Sequence, residues 1–291
     1  MKELFLLEPL DALYDWQAFL YLILCLVLVG LASWLYGKAR SLSLSQQLCQ
    51  ADNPATAISF AGYLAALGIV LSGVMSTPSA EGVSGLGGDL LNSALWSLGA
   101  MALLLIALRV NDRLLFARFS NRKEIVEDRN AGLGAVEAAS FIGTALLLRA
   151  SLAEQAGDPP LGEPWLTLIY FLAGQLLFFL FSLVYQRITR FHLIEELEKD
   201  NPAVGVAFGG TLVAYAILLG FCITHYDSLT SLLLWGLAAA LLLALVRWLT
   251  HWLLFRRSSL DHELRQDRNW GAGIIEATLS ITVALILIAA L

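Results

Sequence analysis

The stretch FLYLILCLVLVGLASWL, residues 19–35, decides the fold of this chain, and LLLWGLAAALLLAL, residues 232–245, has the same character. Both runs are apolar on every face, so neither shows the alternation of apolar and polar residues that a membrane β-strand requires. A helix satisfies its own backbone polar groups and needs about 20 apolar residues to cross a bilayer. The two runs therefore predict membrane-spanning α-helices.

The composition of the whole chain agrees with this prediction. Its 291 residues are 58% hydrophobic and 14% charged, and its mean hydropathy is +0.72. Soluble proteins average about 25% charged residues, so this balance excludes a water-soluble enzyme. The excess of 24 acidic over 18 basic residues also excludes a nucleic-acid-binding protein. The remaining class is an all-α polytopic protein in a lipid bilayer.

Eight stretches are long and apolar enough to span a membrane. We predict spans at residues 16–37, 54–76, 90–111, 131–152, 164–187, 202–224, 230–255 and 270–290. Lys and Arg concentrate in the loops that follow the odd-numbered spans, fourteen against two on the opposite side. The positive-inside rule places those loops in the cytoplasm and both termini outside.

Two motifs occur twice in the chain. Residues 52–62, which begin Asp-Asn-Pro-Ala, share six of eleven identities with residues 200–210, and residues 128–138 share seven of eleven with residues 267–277. The second motif reads Asp-Arg-Asn-x-Gly-x-Gly-x-x-Glu-Ala in both copies. Each copy holds four spans, so both enter the membrane from the same side. This predicts parallel repeats related by a pseudo-two-fold axis along the membrane normal.

The two motifs resemble those of a bacterial inner-membrane family called domain of unknown function 350. The resemblance covers residues 16–152 and 164–291, and it implies a four-helix unit, often duplicated, in the bacterial cytoplasmic membrane. It implies no particular activity. We therefore predict a first repeat at 16–152, a second at 164–291, a periplasmic linker at 153–163 and an N-terminal segment, residues 1–15, on the outer leaflet.

Asparagine and aspartate residues mark the start of every even-numbered span. Asparagine is a preferred N-cap, because its side chain accepts a hydrogen bond from a free backbone N–H. An aspartate just outside the helix complements the positive end of the helix dipole. The pattern predicts either simple caps or an ion-attracting vestibule on the cytoplasmic side. The residues concerned are Asn53, Asn130, Asn201 and Asn269, with Asp52, Asp128, Asp200 and Asp267.

Glu137 and Glu276 each lie seven residues beyond an asparagine cap, which is roughly 10 Å into the helix at about 1.5 Å per residue. An ionisable group at this depth is costly and usually faces the bundle interior or a hydrated cavity. Gly134 and Gly273 share a helix face with the glutamates. We expect these glycines to let the two related helices approach, so that the carboxylates meet across the axis.

A pair of buried carboxylates would share H+ or bind a monovalent cation, which predicts an ion or proton site. The alternative is a structural role, in which each glutamate is neutral or paired with an arginine. Arg109 and Arg247 lie near the inner ends of spans, where we expect their side chains to reach toward the headgroups.

Two functions follow from these residues. The first is an ion channel or an ion- or proton-coupled transporter. The second is a non-transporting scaffold that recruits a cytoplasmic protein partner through the charged loops 113–129 and 256–268. The sequence contains no hydrolase or metalloprotease motif, so we predict no catalytic residue, cofactor or metal site. Its 23 glycines fit a homo-oligomer or a single eight-helix unit that buries the same faces.

Overall fold

Eight long helices and four short helical segments make up the computed structural model, which describes residues 16–76, 85–115, 122–152, 164–226 and 228–291. The predicted N-terminal segment 1–15 and linker 153–163 lie outside the described residues. A π-helical turn, π1 (Lys123–Glu127), lies between α4 and α5. In chain order the α-helices are α1 (Trp16–Arg40), α2 (Leu44–Cys49), α3 (Pro54–Ser76), α4 (Leu86–Leu115), α5 (Ala131–Leu152), α6 (Pro164–Ile188), α7 (Leu193–Glu198), α8 (Pro202–His225), α9 (Leu229–Leu254), α10 (Leu260–Arg265) and α11 (Trp270–Ala290).

The eight predicted spans are confirmed as helices. All eight long helices have the length and apolar composition needed to cross a membrane. The largest difference is in α4, which begins at Leu86 instead of residue 90 and ends at Leu115 instead of residue 111. Asp89 lies in the first turn of α4, where its negative charge stabilises the positive end of the helix dipole. The helix therefore extends beyond the apolar stretch that the sequence marks.

The same turn precedes each of the four capped helices, as we call α3, α5, α8 and α11. A short helical segment ends, one residue takes a left-handed backbone conformation, and an asparagine then caps the long helix. The left-handed residues have φ of 46° at Asp52, 57° at Arg129, 50° at Asp200 and 48° at Arg268. Each asparagine Oδ1 accepts from a backbone N–H, at 3.1 Å from Thr56, 2.8 Å from Leu133, 3.3 Å from Val204 and 3.3 Å from Ala272.

The capped helices pack in chain order as a row, with α3 on α5, α5 on α8, and α8 on α11. A second row runs beside it, in which α1 contacts α4, α4 contacts α6, and α6 contacts α9. Within the capped row, α5 and α8 have a capped neighbour on each side, whereas α3 and α11 are the two ends. The element that recurs along the row is one capped helix with the short segment before it.

Three of the four asparagines also tie their helix to the next short segment. Asn53 Nδ2 donates to the carbonyl of Ile125 in π1 at 2.8 Å, and Asn130 Nδ2 donates to that of Leu197 in α7 at 2.5 Å. Asn201 Nδ2 donates to the carbonyl of Leu264 in α10 at 2.9 Å. These bonds bring the N-termini of the capped helices together on one side of the protein, which we call the short-helix face.

Neighbouring capped helices are in near-backbone contact, and each such pair of helices forms what we call a joint. A Cβ added at Gly205 of α8 would collide with the carbonyl oxygen of Gly132 in α5. A Cβ at Gly62 of α3 would collide with Ala138 of α5 in the same way. Small residues allow membrane helices to approach this closely, because dispersion contacts replace contacts with lipid.

Candidate functional site

The Glu137 cluster lies between α1, α3 and α5. Glu137 is 1% exposed, and its Oε1 forms an ion pair with Nη2 of Arg40, the last residue of α1. Its Oε2 accepts a hydrogen bond from Ser59 Oγ at 2.7 Å. The Ser59 hydroxyl is in turn 2.7 Å from the hydroxyl of Tyr36. Both carboxylate oxygens of Glu137 therefore have polar partners.

The Glu276 cluster lies between α6, α9 and α11. Glu276 is 1% exposed, and its Oε1 forms an ion pair with Nη1 of Arg247, itself 6% exposed. The Tyr185 hydroxyl donates to the same oxygen at 2.9 Å, and Arg247 Nη1 lies 2.9 Å from that hydroxyl. The other oxygen of Glu276, Oε2, is buried and has no hydrogen-bond partner among the described residues.

Arg247 connects this buried carboxylate with a second, more accessible one. Its Nη2 donates to Asp261 Oδ1 of α10 at 2.5 Å, and the Asp261 side chain is 22% exposed. A cavity of about 130 Å³ adjoins the pair at the short-helix face, and its polar lining includes Arg190, His251 and Ser259. A guanidinium has five donors in a planar fork, so it can hold two carboxylates at once. Arg247 thus connects a carboxylate in the core with one beside an open cavity.

The two clusters keep the glutamate and the tyrosine but obtain the arginine from different helices. Tyr36 and Tyr185 occupy corresponding places in α1 and α6, each close to the glutamate of its own repeat. Four residues after Tyr36 stands Arg40, whereas four residues after Tyr185 stands Thr189. In the second repeat α9 supplies Arg247 instead. A buried charge left without a partner is strongly unfavourable, which explains one arginine for each glutamate.

The structure corrects the expectation that the two glutamates meet. Glu137 and Glu276 pair with different arginines, and α8 packs between their helices α5 and α11. Gly134 and Gly273 do not bring those helices together either, because Gly134 packs on Ala55 of α3 and Gly273 packs on Ala203 of α8. Each glycine packs against a backbone carbonyl of the preceding capped helix, so α8 stands between α5 and α11 in the row.

The expectation for Arg247 is also wrong, because its side chain is buried between two carboxylates and does not reach toward the headgroups. Arg109, by contrast, is exposed. Sequence reasoning missed Arg40 and Asp261 as members of the clusters. Arg40 follows an apolar span directly, where a basic residue is usually an orientation signal. The available clue was its spacing of four residues from Tyr36, which places both side chains on one face of α1.

The four aspartates at the caps take different partners. Asp200 Oδ1 accepts from the backbone N–H of Ala131 at 3.0 Å, which ties α8 to the start of α5. Asp128 Oδ2 lies 3.7 Å from Lys123 Nζ, and Asp267 Oδ2 lies 3.7 Å from His262 Nε2. Asp52, at the first end of the row, is exposed. These contacts explain caps and joints, and an ion-attracting vestibule stays a prediction.

Asn269 differs from the other caps in the partner of its side-chain amide. Its Nδ2 donates to Glu263 Oε2 at 2.8 Å, within its own turn. Hydrogen bonds from Asn269 and then from Ser258 lower the pKa of Glu263 below its ordinary value, because they favour the charged carboxylate.

The duplicated turn and the duplicated cluster correspond to a duplicated match in sequence. The family described as Domain of Unknown Function (DUF350) matches residues 6–152 and, separately, residues 160–291. The chain belongs to the DUF350 family. It carries two tandem DUF350 copies, as the repeated motifs predict.

Two bacterial relatives of this DUF350 protein differ in length. A UPF0719 transmembrane protein of Aquifex aeolicus (strain VF5) is 24% identical over 262 residues, which cover 86% of this chain and 90% of that protein. The UPF0719 transmembrane protein YshE of Bacillus subtilis (strain 168) is 28% identical over 120 residues, which cover 41% of this chain and 88% of YshE. No solved structure matches the chain. It is thus an integral membrane protein of an uncharacterised family.

Proposed function

We propose that this protein is an ion-coupled transporter in the bacterial cytoplasmic membrane, with H+ as the coupling ion, and that it is not an enzyme. The observation that carries the proposal is the bridge formed by Arg247 between buried Glu276 and accessible Asp261. An ionisable group within a membrane helix is costly, and such groups commonly belong to ion pathways or proton relays. The earlier idea of one shared glutamate pair is replaced by two separate clusters.

Proton exchange at this bridge needs little movement. A proton that reaches Glu276 Oε2, which has no hydrogen-bond partner among the described residues, neutralises the carboxylate and removes its ionic attraction for Arg247. Arg247 then keeps Asp261 as its counter-ion beside the cavity. Loss of the proton restores the Glu276–Arg247 pair. The Glu276–Arg247 ion pair can therefore form and break while Arg247 stays paired with Asp261 near water.

The Glu137 cluster is a less suitable exchange site. Both oxygens of Glu137 are occupied, by Arg40 and by Ser59. The position equivalent to Asp261, eight residues before the asparagine cap, carries Arg122 in the first repeat. The cluster thus lacks a carboxylate at the place where α10 supplies Asp261. We infer a stabilising role for the first cluster and an exchange role for the second.

We further infer parallel four-helix repeats, with the short-helix face in the cytoplasm and both termini outside. The distribution of Lys and Arg between the loops supports this orientation. In this orientation the cavity beside Arg247 opens to the cytoplasm. A reporter enzyme that works only in the periplasm is expected to be active when it is fused after Leu291, and one that works only in the cytoplasm is expected to be inactive there.

The test is ion flux in proteoliposomes, with an internal pH dye and imposed gradients of H+, Na+ and K+. We expect the wild-type protein to dissipate a pH gradient, Glu276→Gln to abolish this flux, and Glu137→Gln to retain most of it. Gel filtration and thermal unfolding of each variant separate loss of function from loss of fold. If folded wild-type protein moves none of these ions, the transporter proposal is wrong.

A failed flux test would favour the second candidate, a scaffold that binds a cytoplasmic protein. The supporting observation is the short-helix face itself, where charged side chains such as Lys123, Lys199 and Arg265 are about half exposed or more. Loop variants in 113–129 and 256–268 would then be compared in pull-down assays.

A further inference from the structure

Among the described residues, α3 and α11 each have a capped neighbour on one side only, and the chemistry of these two ends of the row is complementary. We propose that α11 of one copy of this chain docks on α3 of a second copy, which adds a fourth joint of the kind that α3–α5, α5–α8 and α8–α11 already form. The partner is thus a second copy of the protein, bound head to tail.

The three joints within the chain follow one rule. Counted from the asparagine cap, the ninth residue of the leading helix meets the eighth residue of the following helix. Gly62 meets Ala138, Ala139 meets Gly209, and Gly210 meets Ala277. The second residue of the leading helix likewise lies against the fourth of the following one, as Ala203 lies against Gly273. Three independent repetitions make the joint a reproducible mode of helix packing.

The same rule assigns the residues that a fourth joint would use. On α11 the leading positions are Gly271 and Thr278, and both are exposed. On α3 the following positions are Ala57 and Ala61, also exposed. The α3 face continues outward through Ala65, Gly68 and Ser72, all of them small and exposed. Each end thus presents the kind of residue that the other end needs.

The hydrogen-bonding groups at the two ends match as well. Asn53, Asn130 and Asn201 each donate to a carbonyl of the following short segment, whereas the Nδ2 of Asn269 has only its own Glu263 as partner among the described residues. The corresponding acceptor in α2 is the carbonyl of Leu48, to which no asparagine side chain among the described residues donates. The turn geometry identifies Leu48. The backbone N–H of Asn53 donates to the carbonyl of Gln47, the residue before Leu48. The other three cap asparagines likewise donate to the carbonyl of the residue before Ile125, Leu197 or Leu264.

The α5–α8 joint is the closest template, because there too a Gly-rich helix leads and an Asp-Asn-Pro-Ala helix follows. In that joint Asp200 accepts from the N–H of Ala131. Asp52 stands at the equivalent place in α3, and Trp270 stands at that of Ala131. The fourth joint would pair Asp52 of one copy with the N–H of Trp270 of the other.

The α2 segment is less buried than its counterparts, as expected for a partner surface that this chain leaves open. No residue of α2 is buried. In contrast, Ile125 of π1, Leu197 of α7 and Leu264 of α10 are at most 3% exposed. The cap asparagine of the preceding helix in the row donates to the carbonyl of each of those three residues, whereas no asparagine side chain among the described residues donates to a backbone carbonyl of α2.

The length of YshE agrees with assembly between chains. Its matched 120 residues make up 88% of YshE, which is the length of about one repeat here. One repeat contains two capped helices and one joint. In a single-repeat protein, the joint equivalent to α5–α8 can therefore form only between two chains.

One residue weakens the fourth joint relative to the other three. The fourth position after the cap is Gly134, Gly205 or Gly273 in the following helices of the chain, but it is Ala57 in α3. Its methyl group holds the copies slightly further apart, so fewer dispersion contacts form. Because the contact is heterologous, it closes into a ring if the rotation permits and otherwise extends into an open chain.

The experiment is disulfide cross-linking in native membranes, in a background in which Cys25, Cys49 and Cys222 are replaced. One tagged chain carries Ala61→Cys and a differently tagged chain carries Thr278→Cys. We expect an oxidised mixed dimer when both are co-expressed and none when either is expressed alone, because a head-to-tail contact needs one cysteine from each face. Pairing Thr278→Cys with Ala102→Cys, an exposed alanine on α4, is the matched control.

A second pair of variants tests the contact without cysteine. Ala61→Trp places a large ring on the docking face and should shift the solubilised protein to the monomer in sedimentation. Ala102→Trp should leave the assembly unchanged, and both should keep the monomer's melting temperature. The proposal is overturned if the mixed pair gives no more dimer than the α4 control, if either single cysteine gives dimer alone, or if Ala61→Trp has no effect on assembly.

Discussion

Arg247 of α9 neutralises Glu276 of α11 deep in the protein, whereas Arg109 on the corresponding helix of the first repeat, α4, is exposed. The first repeat takes its arginine from α1 instead. A change of donor helix with retention of the ion pair indicates that the pair, and not the arginine position, is what the fold requires. In a membrane, where water cannot solvate a lone charge, this requirement is strict.

The first prediction tests that equivalence with an arginine transplant. Arg247→Leu leaves Glu276 buried without its cation and should destabilise the protein by about 3–5 kcal/mol. Adding Thr189→Arg, at the place that Arg40 holds in the first repeat, should recover part of the loss. Thermal unfolding in detergent measures both steps. Thr189→Arg alone should destabilise the protein, because it adds an uncompensated buried charge. An equal loss of stability in Arg247→Leu with and without Thr189→Arg would contradict the equivalence of the two arginine positions.

The sequence predicts the spans and caps well because both depend on local chemistry. Apolar runs of about 20 residues specify α1 or α9 without reference to the rest of the chain. Asn53 or Asn201 caps its helix through a bond to a residue only three positions away. The clusters depend on distant contacts, such as Arg40 with Glu137 and Tyr185 with Glu276, and no local pattern specifies them.

The row of capped helices was not predictable for the same reason. The sequence shows a repeat of four helices, and symmetry alone suggests that equivalent residues face each other. The structure repeats its joint at every capped helix, so α8 lies between Glu137 and Glu276. Gly205 of α8 explains this, because a glycine there lets the backbone of α5 pack closely against α8. The last capped helix of the first repeat therefore contacts the first capped helix of the second.

A second prediction concerns the coupling between Arg40 and Glu137. Arg40→Leu and Glu137→Leu should each destabilise the protein, because each leaves one buried charge unpaired. The double variant should be more stable than the sum of the two losses predicts, by roughly 0.5–3 kcal/mol, as for residues in direct contact. A double-mutant cycle of unfolding free energies measures this difference. Strict additivity would show that the two side chains act independently.

A third prediction compares two asparagine caps. Asn201→Ala removes a cap and also the bond from Nδ2 to the Leu264 carbonyl, whereas Asn269→Ala removes a cap that bonds within its own turn. Loss of a cap costs about 1 kcal/mol, and a buried carbonyl left unsatisfied costs about 1–3 kcal/mol more. At concentrations where the protein is monomeric, Asn201→Ala should therefore be the more destabilising variant. Equal melting temperatures would contradict the bridging role of Asn201.

The fourth prediction measures the tightness of a joint. Gly205→Ala introduces a Cβ that collides with the carbonyl of Gly132, so α5 and α8 must move apart, at a cost of about 1–3 kcal/mol for overpacking. Gly99→Ala is the matched control, because a Cβ at Gly99 on α4 meets no atom within 4 Å. In a helix interior this control should gain about 0.5–1 kcal/mol from the lower backbone entropy of alanine. The two substitutions are chemically identical, so opposite signs in unfolding free energy would arise from the α5–α8 contact alone. If both variants gained stability, α5 and α8 would be packed less closely than their backbones indicate.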